Sequence, residues 1–172
     1  MPRPRNNTPQ ADACPCLPEP DQGIYVLRIR LSAPLELTVG ALPKRHHDPG
    51  TYWYVGSAQR NLQSRISRHL KTDKNLRWHI DHFLANPEAR IEAVFAKPAA
   101  KSQECATARS LGHHGEPVPR FGASDCRCSA HLIHTTGNAT QAAEALLLKR
   151  GFVRTPLHHR KSAAVPDQES QS

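Results

Sequence analysis

No apolar run in this sequence approaches the roughly 20 residues that a membrane-spanning helix requires. The N-terminus carries positive charge, but no hydrophobic stretch follows it, so we do not expect a secretory signal. The chain also contains no internal repeat. These absences leave the cytoplasm as the expected compartment, where the five cysteines should be mostly reduced.

Acidic residues are too few to balance the basic ones. There are 15 Asp and Glu against 23 Lys and Arg, which gives a formal net charge of +8. Arginine outnumbers lysine, and its planar guanidinium suits phosphate better than a generic solubilising surface does. Such a chain most often meets nucleic acid or an anionic membrane. Because it lacks a basic amphipathic helix with aromatic anchors, we expect nucleic acid and no membrane.

The length of 172 residues accommodates one domain with a hydrophobic core. Residues 1–21 are rich in proline and poor in large apolar residues, which predicts a disordered tail. We expect the folded domain over 22–135, an additional C-terminal helix over 136–153 and a second disordered tail over 154–172.

Hydrophobic periodicity predicts the order of the elements. Alternation predicts a strand in GIYVLRIRL and a partner strand at Leu35, Leu37 and Val39, with a loop in GALPKRHHDPG and another strand in TYWYVG. Two helices are predicted next, from about Asn61 to Lys71 and from Leu76 to a stop at Asn86 and Pro87. The later part predicts a strand in RIEAVFA, a helix in SQECATARSL capped by Ser102, an edge strand in AHLIHT and a helix closed by Gly151.

These elements predict a small α/β (α+β) domain with a mostly antiparallel, three-stranded sheet flanked by helices. Within it, the first helix has its buried stripe centred on Leu62. At 100° per residue, Arg65 and His69 fall together on one flank of that stripe. We therefore expect them to face the strands that carry Tyr25 and Tyr54. Two phenols, a guanidinium and an imidazole in one pocket would suit a phosphate group.

The ordered motifs GIY, YVG and Leu-x-x-Arg-x-x-x-His resemble the GIY-YIG endonuclease superfamily. The resemblance covers roughly Gln22 to Leu111. The later segment FGASDCRCSAHL further resembles a less characterised branch of small GIY-YIG-like proteins, some of them fused to DNA glycosylases. What the resemblance implies is a GIY-YIG-type domain that hydrolyses phosphodiester bonds in DNA, rather than RNA, during repair or processing.

The resemblance also implies roles for individual residues around one magnesium or manganese ion. Tyr25 and His69 would position or deprotonate water, and Tyr54 would support the phosphate or the base. Arg65 would neutralise charge in the transition state, and Glu104 would hold the metal ion. Glu144, in the similar string AEALLLKR, lies much further along the chain from Tyr54, so we favour Glu104.

Each of these residues also has a purely structural interpretation. The two tyrosines could be ordinary sheet aromatics, and Arg65 and His69 a solvated helix face. Glu104 could simply complement a helix dipole. In the segment WHIDH, we expect His79 to be a core histidine that could also line the pocket, and the other two titratable residues to be solvated; these are Asp81 and His82.

Nucleic-acid binding is expected to be electrostatic and centred on the first predicted helix and its exit. Besides Arg65, the basic side chains expected to contribute are Arg60, Arg68, Lys71, Lys74 and Arg77. The alternative function is a nucleic-acid-binding module with the same fold and little or no catalytic activity.

The cysteines raise a separate question. Cys126-x-Cys128-x-x-His131 has spacings compatible with zinc, and Cys105 could complete four ligands. Structural zinc usually uses two separated pairs, often CxxC, and this sequence contains none. We therefore favour a buried turn at Ser124 to Cys126 over a zinc site.

Overall fold

The computed structural model describes residues 21–157, so most of the two expected tails lies outside the described residues. The sequence forms strands where β-branched and aromatic residues alternate and helices where apolar residues recur every three or four positions. The elements are β1 (Gly23–Leu31), β2 (Leu35–Leu37), β3 (Arg45–His47), β4 (Gly50–Ala58), α1 (Leu62–Leu70), α2 (His79–Leu84), β5 (Ala89–Lys97), α3 (Ser102–Gly112), β6 (Glu116–Pro117), β7 (Leu132–Thr135), α4 (Asn138–Lys149) and β8 (Val153–Pro156).

The fold is a mixed α/β domain built on one antiparallel sheet, which confirms the expected class. The sheet has six strands in the order β6-β7-β4-β1-β5-β8 and is therefore larger than the three strands expected. Strands β2 and β3 form a separate two-stranded sheet. Within residues 21–157, no helix combines the length and the apolar character that crossing a membrane would need.

Strand β1 lies at the centre of the sheet and is covered on both faces. Because side chains alternate across a strand, its odd-numbered and even-numbered residues enter two different cores. Tyr25 and Leu27 pack with Leu62 and Ile66 of α1, together with residues of α2. Ile24 and Val26 pack on the other face, with residues of α3 and α4. The sheet is thus the middle of three layers.

Several strand predictions were wrong, because the sequence pattern does not show which strands pair with each other. β2 does not pair with β1, because both edges of β1 are taken by β4 and β5. The predicted loop GALPKRHHDPG contains β3. The predicted edge strand AHLIHT contains β7, which is an inner strand because β6 pairs with its free side. Residues from Arg154 onward were expected to be tail, yet β8 includes Arg154 and pairs with β5.

Two helix starts also differ from the expected ones. The second helix begins at His79 and not at Leu76, which is exposed. Ser102 is the first residue of α3, and no side chain caps that helix.

Asp21, assigned to the tail, accepts hydrogen bonds from the first turn of α1: Gln63 N donates to its Oδ1 at 2.7 Å. The folded part of the chain therefore includes Asp21.

Asp81 was expected to be solvated, and the structure buries it completely. Its carboxylate accepts two hydrogen bonds from the Arg68 guanidinium, at 3.0 and 2.9 Å, and one from each backbone N–H of Arg77 and Trp78. The Lys74 ammonium lies 3.8 Å away. Burial alone would raise the pKa of Asp81, but these hydrogen bonds outweigh it and lower the pKa to about 2. This ion cluster connects α1, α2 and the segment between them.

We expect Asp81→Asn to destabilise the domain by about 3 kcal/mol, because it leaves buried positive groups without their partner. A carboxylate whose pKa is depressed in the folded state stabilises that state above its unfolded pKa of about 3.9. The stability difference between wild type and variant should therefore shrink as the pH falls from about 4 to 2. Urea denaturation across this range measures it. Asp73→Asn, at an exposed position nearby, is the control. Equal stability of wild type and Asp81→Asn at pH 7 would contradict the assignment.

Candidate active site and metal-ligating cluster

Tyr25 and Gly56, from the two sequence motifs, lie opposite each other on β1 and β4. The Tyr25 ring lies across Gly56, where a Cβ atom would come within 2.5 Å of both the ring Cζ and the hydroxyl oxygen. The other motif glycine, Gly23, has φ of 151°, and a Cβ there would lie 2.1 Å from the carbonyl oxygen of Lys97. Both glycines are therefore needed for close approach, one to a ring and one to a neighbouring strand.

The Tyr25 hydroxyl meets the imidazole of His69, with 2.8 Å between the oxygen and Nε2. His69 is 2% exposed, and its ring also contacts Tyr54 and Trp78. Burial, together with the nearby Lys74 charge, lowers the pKa of His69 to about 3, so its imidazole is neutral at physiological pH. Burial likewise raises the pKa of Tyr25, which keeps the phenol protonated.

A cavity of about 510 Å³ opens beside Tyr25. Four of the five expected catalytic residues line it, coming from β1, β4, α1 and α3; these are Tyr25, Tyr54, Arg65 and Glu104. The fifth, His69, is not among the lining residues and lies behind Tyr25. It can therefore act on the cavity through the Tyr25 hydroxyl.

Arg65 lies at the cavity on one face of Trp78, with its guanidinium carbon 4.8 Å from the ring centroid. Arg68 also stacks on Trp78, at 4.1 Å. The two arginines differ in their partners, because the Arg68 guanidinium is held by buried Asp81. The indole holds Arg65 through cation–π attraction, an interaction that uses none of its hydrogen-bond donors.

Glu104 comes from the first turn of α3. Its carboxylate accepts a hydrogen bond from Ser57 Oγ on β4, and its Oε1 lies 3.0 Å from Nδ1 of His131. Burial raises the pKa of Glu104, but the nearby His131 ring and the hydrogen bond from Ser57 outweigh this and hold it below its ordinary value. The side chain is therefore an anion at the cavity wall.

Glu144, the alternative to Glu104, lies elsewhere. Its carboxylate on α4 is paired with Arg28 at 2.7 Å and with Arg154 at 2.9 Å. His79, expected mainly as a core histidine, is only half-buried and lines the cavity, and its Nδ1 accepts a hydrogen bond from Gly122 N. Of the two glutamates, the structure thus brings Glu104 to the tyrosines and arginine.

The basic residues expected to bind nucleic acid fall into two groups. Arg60, Lys71 and Arg77 are exposed, and Arg77 lines the cavity. Arg68 is bound to Asp81, and the Lys74 ammonium donates to the His69 carbonyl with its side chain only 6% exposed. We therefore assign Arg68 and Lys74 to the fold, because their charges already have buried partners.

A second cluster lies on the far side of Glu104. The sulfur atoms of Cys105, Cys126 and Cys128 and a ring nitrogen of His131 all lie within 4.8 Å of one another, a set that could bind a metal ion. The three cysteines are free thiols. His131 Nε2 lies 3.5 Å from Cys126 Sγ and 3.8 Å from Cys105 Sγ. The expected buried turn at Ser124 to Cys126 is wrong, because Ser124 and Asp125 are exposed and Cys126 lies in the cluster with Cys105 of α3.

One comparison with known proteins identifies the family of the chain. The family model described as "Domain of unknown function DUF123" matches residues 24–152. The chain belongs to DUF123. No curated protein and no solved structure matches it. The matched range of the DUF123 domain begins in β1, ends just before β8, and includes both the cavity and the cysteine cluster.

Sequence reasoning missed several residues that build these sites in the DUF123 domain. Ser57 directly follows the YVG motif, but a lone serine does not indicate that its hydroxyl will donate a hydrogen bond to Glu104 of α3. Trp78 was visible as the aromatic residue between basic ones. Lys101 adds a further charge to the cavity wall. The link between His131 and Glu104 had no signal in the sequence, because it joins residues far apart in the chain.

We expect Gly56→Ala to destabilise the DUF123 domain by about 1–3 kcal/mol, because the new methyl group must displace the Tyr25 ring. The cost should nearly vanish in a Tyr25→Ala background, and a double-mutant cycle by thermal denaturation measures this coupling. The control is Gly112→Ala, where the Cβ would make an ordinary 3.6 Å contact with Pro117. Additive effects of the two substitutions would contradict the proposed packing.

Proposed function

We propose that this protein is a divalent-metal-dependent endonuclease of the GIY-YIG type that hydrolyses phosphodiester bonds in DNA, with repair or processing as its setting. One observation carries the proposal: two phenols, a guanidinium and an ionised carboxylate line a single open cavity. The order of the GIY, YVG and Leu-x-x-Arg-x-x-x-His motifs supports it independently.

Tyr25 is the group that orients the attacking water. The direction of the hydrogen bond between Tyr25 and His69 depends on the tautomer of the neutral ring; in the tautomer with an unprotonated Nε2, the phenol donates its proton to that nitrogen, and this fixes the rotation of the hydroxyl. The phenol oxygen then keeps its lone pairs as acceptors and, on the side of the cavity, accepts a hydrogen bond from water. His69 is in this scheme a positioning residue, because it touches Tyr25 and does not line the cavity.

Arg65 binds the phosphate. Its guanidinium lines the cavity and forms no salt bridge among the described residues, and its planar fork of N–H donors matches two phosphoryl oxygens. The negative charge on those oxygens grows as water adds, so a fixed cation stabilises the transition state more than the ground state. Stacking on Trp78 supplies the rigidity that this role requires.

Glu104 would hold the divalent cation, with magnesium or manganese as the ion. The donor set fits, since magnesium in phosphate sites often takes one or two carboxylates and keeps several waters. Glu104 is ionised and reaches the cavity, and the exposed carboxylate of Asp125 lies on the same wall. When bound, the ion would polarise the phosphoryl group and stabilise the leaving oxygen.

We also propose that the cysteine cluster binds zinc. Tetrahedral zinc with bonds of about 2.3 Å to sulfur and about 2.0 Å to nitrogen places its ligands about 3.5–3.8 Å apart. In such a site the nitrogen–sulfur separation is about 3.5 Å; His131 Nε2 lies 3.5 Å and 3.8 Å from two of the sulfurs, and all four donor atoms lie within 4.8 Å of one another, so a small contraction would close the site around the ion. Three thiolates would leave one excess negative charge, and the Arg109 guanidinium lies 3.9 Å from Cys128 Sγ to balance it.

We expect Arg65→Ala to lower the rate of DNA cleavage by about 10²–10³, because it removes a group that stabilises negative charge in the transition state.

Tyr25→Phe should also slow cleavage by about 10² or more while leaving DNA affinity nearly unchanged, since only the phenolic oxygen is lost. Initial rates on labelled duplex, branched and single-stranded DNA, with magnesium or manganese and with chelator, provide the measurement. The matched control is Arg90→Ala, an exposed arginine at the opposite end of the central sheet.

Unchanged cleavage by the Arg65 variant would refute this site. If the wild type binds DNA but cuts none of these substrates with either ion, the protein is instead a nucleic-acid-binding module with the same fold.

DNA binding should weaken steeply with salt, because each neutralised phosphate releases a counterion, with a log–log slope of about 0.9 per contact. Removing the exposed Arg77 side chain at the cavity should reduce that slope by about 1. Fluorescence anisotropy from low to moderate salt, with the Arg90→Ala variant as control, tests this. Affinity that is independent of salt would exclude an electrostatic interface.

A further inference from the structure

His131 connects the two sites of this domain. One side of its ring presents Nε2 to the thiols of Cys126 and Cys105. The other side presents Nδ1 to Glu104 Oε1, at 3.0 Å. Glu104 and Cys105 are consecutive in α3, so the first turn of that helix supplies one residue to each site.

The His131 ring is firmly held in this position. Its side chain is 2% exposed, so water cannot readily replace either neighbour. Its backbone is also fixed, since His131 N donates to Phe121 O and His131 O accepts from Val55 N. The ring can therefore adapt to its surroundings mainly through the choice of which nitrogen carries the proton.

A metal ion at Nε2 makes that choice. A metal-bound imidazole uses the lone pair of one nitrogen, and the other nitrogen then carries the proton and commonly donates it to a carboxylate. In His131 this would put the N–H on Nδ1, a buried atom that makes no aligned hydrogen bond in this structure although Glu104 Oε1 lies 3.0 Å away. With the proton on Nε2 instead, the Nδ1 lone pair would face the carboxylate oxygen, which is a repulsive arrangement.

We infer that the metal ion in the cysteine cluster positions the Glu104 carboxylate through His131, so that a structural metal site organises the cavity next to it. The inference rests on the proposed zinc site and deepens the proposed function, because Glu104 is the proposed ligand of the catalytic ion. His131 is a zinc ligand and, toward the reaction, a positioning residue. The coupling is reciprocal, so Glu104 also strengthens the binding of zinc at His131.

The reciprocal effect provides a test that needs no nuclease activity. Zinc affinity is measured by competition with a chromophoric chelator, using the 172-residue chain with Zn²⁺ as the only metal ion. We expect Glu104→Ala to weaken zinc binding by about 10- to 100-fold, as is typical when the hydrogen-bond partner of a zinc-bound histidine is lost. Glu104→Gln should weaken it less, because an amide oxygen still accepts from Nδ1–H, although without the charge.

Asp125→Asn is the matched control. This substitution removes a carboxylate charge from the residue beside Cys126. Asp125 lines the same cavity as Glu104, but it is exposed and pairs with Lys101. We expect it to change zinc affinity by less than about threefold, since an exposed pair contributes little. Equal losses for Glu104→Ala and Asp125→Asn would mean that only general electrostatics is at work, and that result would overturn the inference.

Nitrogen-15 NMR of the His131 ring gives an independent readout. In the zinc-loaded protein we expect a protonated Nδ1 and a metal-bound Nε2. Wild-type zinc affinity in both Glu104 variants, an unprotonated Nδ1, or a protein that binds no zinc would each refute the inference. If the zinc results hold and the protein cuts no DNA, the proposed function fails while the link between the sites stands. Should Glu104→Ala not fold, the Glu104→Gln variant and the NMR measurement decide.

Discussion

The pairing of β1 between β4 and β5 is the constraint on which the rest of this structure depends. A central antiparallel strand with both faces buried must send alternate side chains into two separate cores. The register that sets Tyr25 against Gly56 then fixes where the Tyr25 ring lies, because only a glycine leaves room beneath it. A slip of one residue would turn Tyr25 to the opposite face, away from α1 and from His69. The site is thus a consequence of strand register.

The positively charged side chains near α1 have two different roles: some are paired inside the fold, and Arg65 lies at the cavity. Asp81 takes the charges of Arg68 and Lys74 into a buried cluster that holds α1 and α2 together. Trp78 lies at the boundary, with Arg68 and Arg65 both stacked on its ring. Because Arg68 is neutralised and Arg65 is not, the same tryptophan connects a structural ion pair to a guanidinium that remains available to a ligand. Desolvation, together with the nearby Lys74 charge, also keeps His69 neutral behind Tyr25.

The first turn of α3 contributes an oxygen donor to one candidate metal site and a sulfur donor to another. Hard oxygen donors suit magnesium or manganese, and soft thiolates suit zinc. Glu104 and Cys105 present one of each kind from consecutive positions, and His131 contacts both. In a small domain, a metal-ligating cluster can make a cavity wall more rigid than loops alone would make it.

By itself, the sequence determined the elements with strong periodicity, namely β1, β4, β5, α1, α3 and α4, and the candidate residues Tyr25, Tyr54, Arg65 and Glu104 that line one cavity. These follow from local patterns: alternation for strands, a 3.6-residue period for helices, and motif spacing for the site. Tertiary structure alone decided which strands pair, and so brought β8 onto the sheet and separated β2 from β1. It also decided that Asp81 is buried, that His69 lies behind Tyr25 and that Ser124 and Asp125 are exposed beside the cysteine cluster. Each of these depends on contacts between residues distant in the chain, whose energies come from burial and register and leave no periodic trace in the sequence.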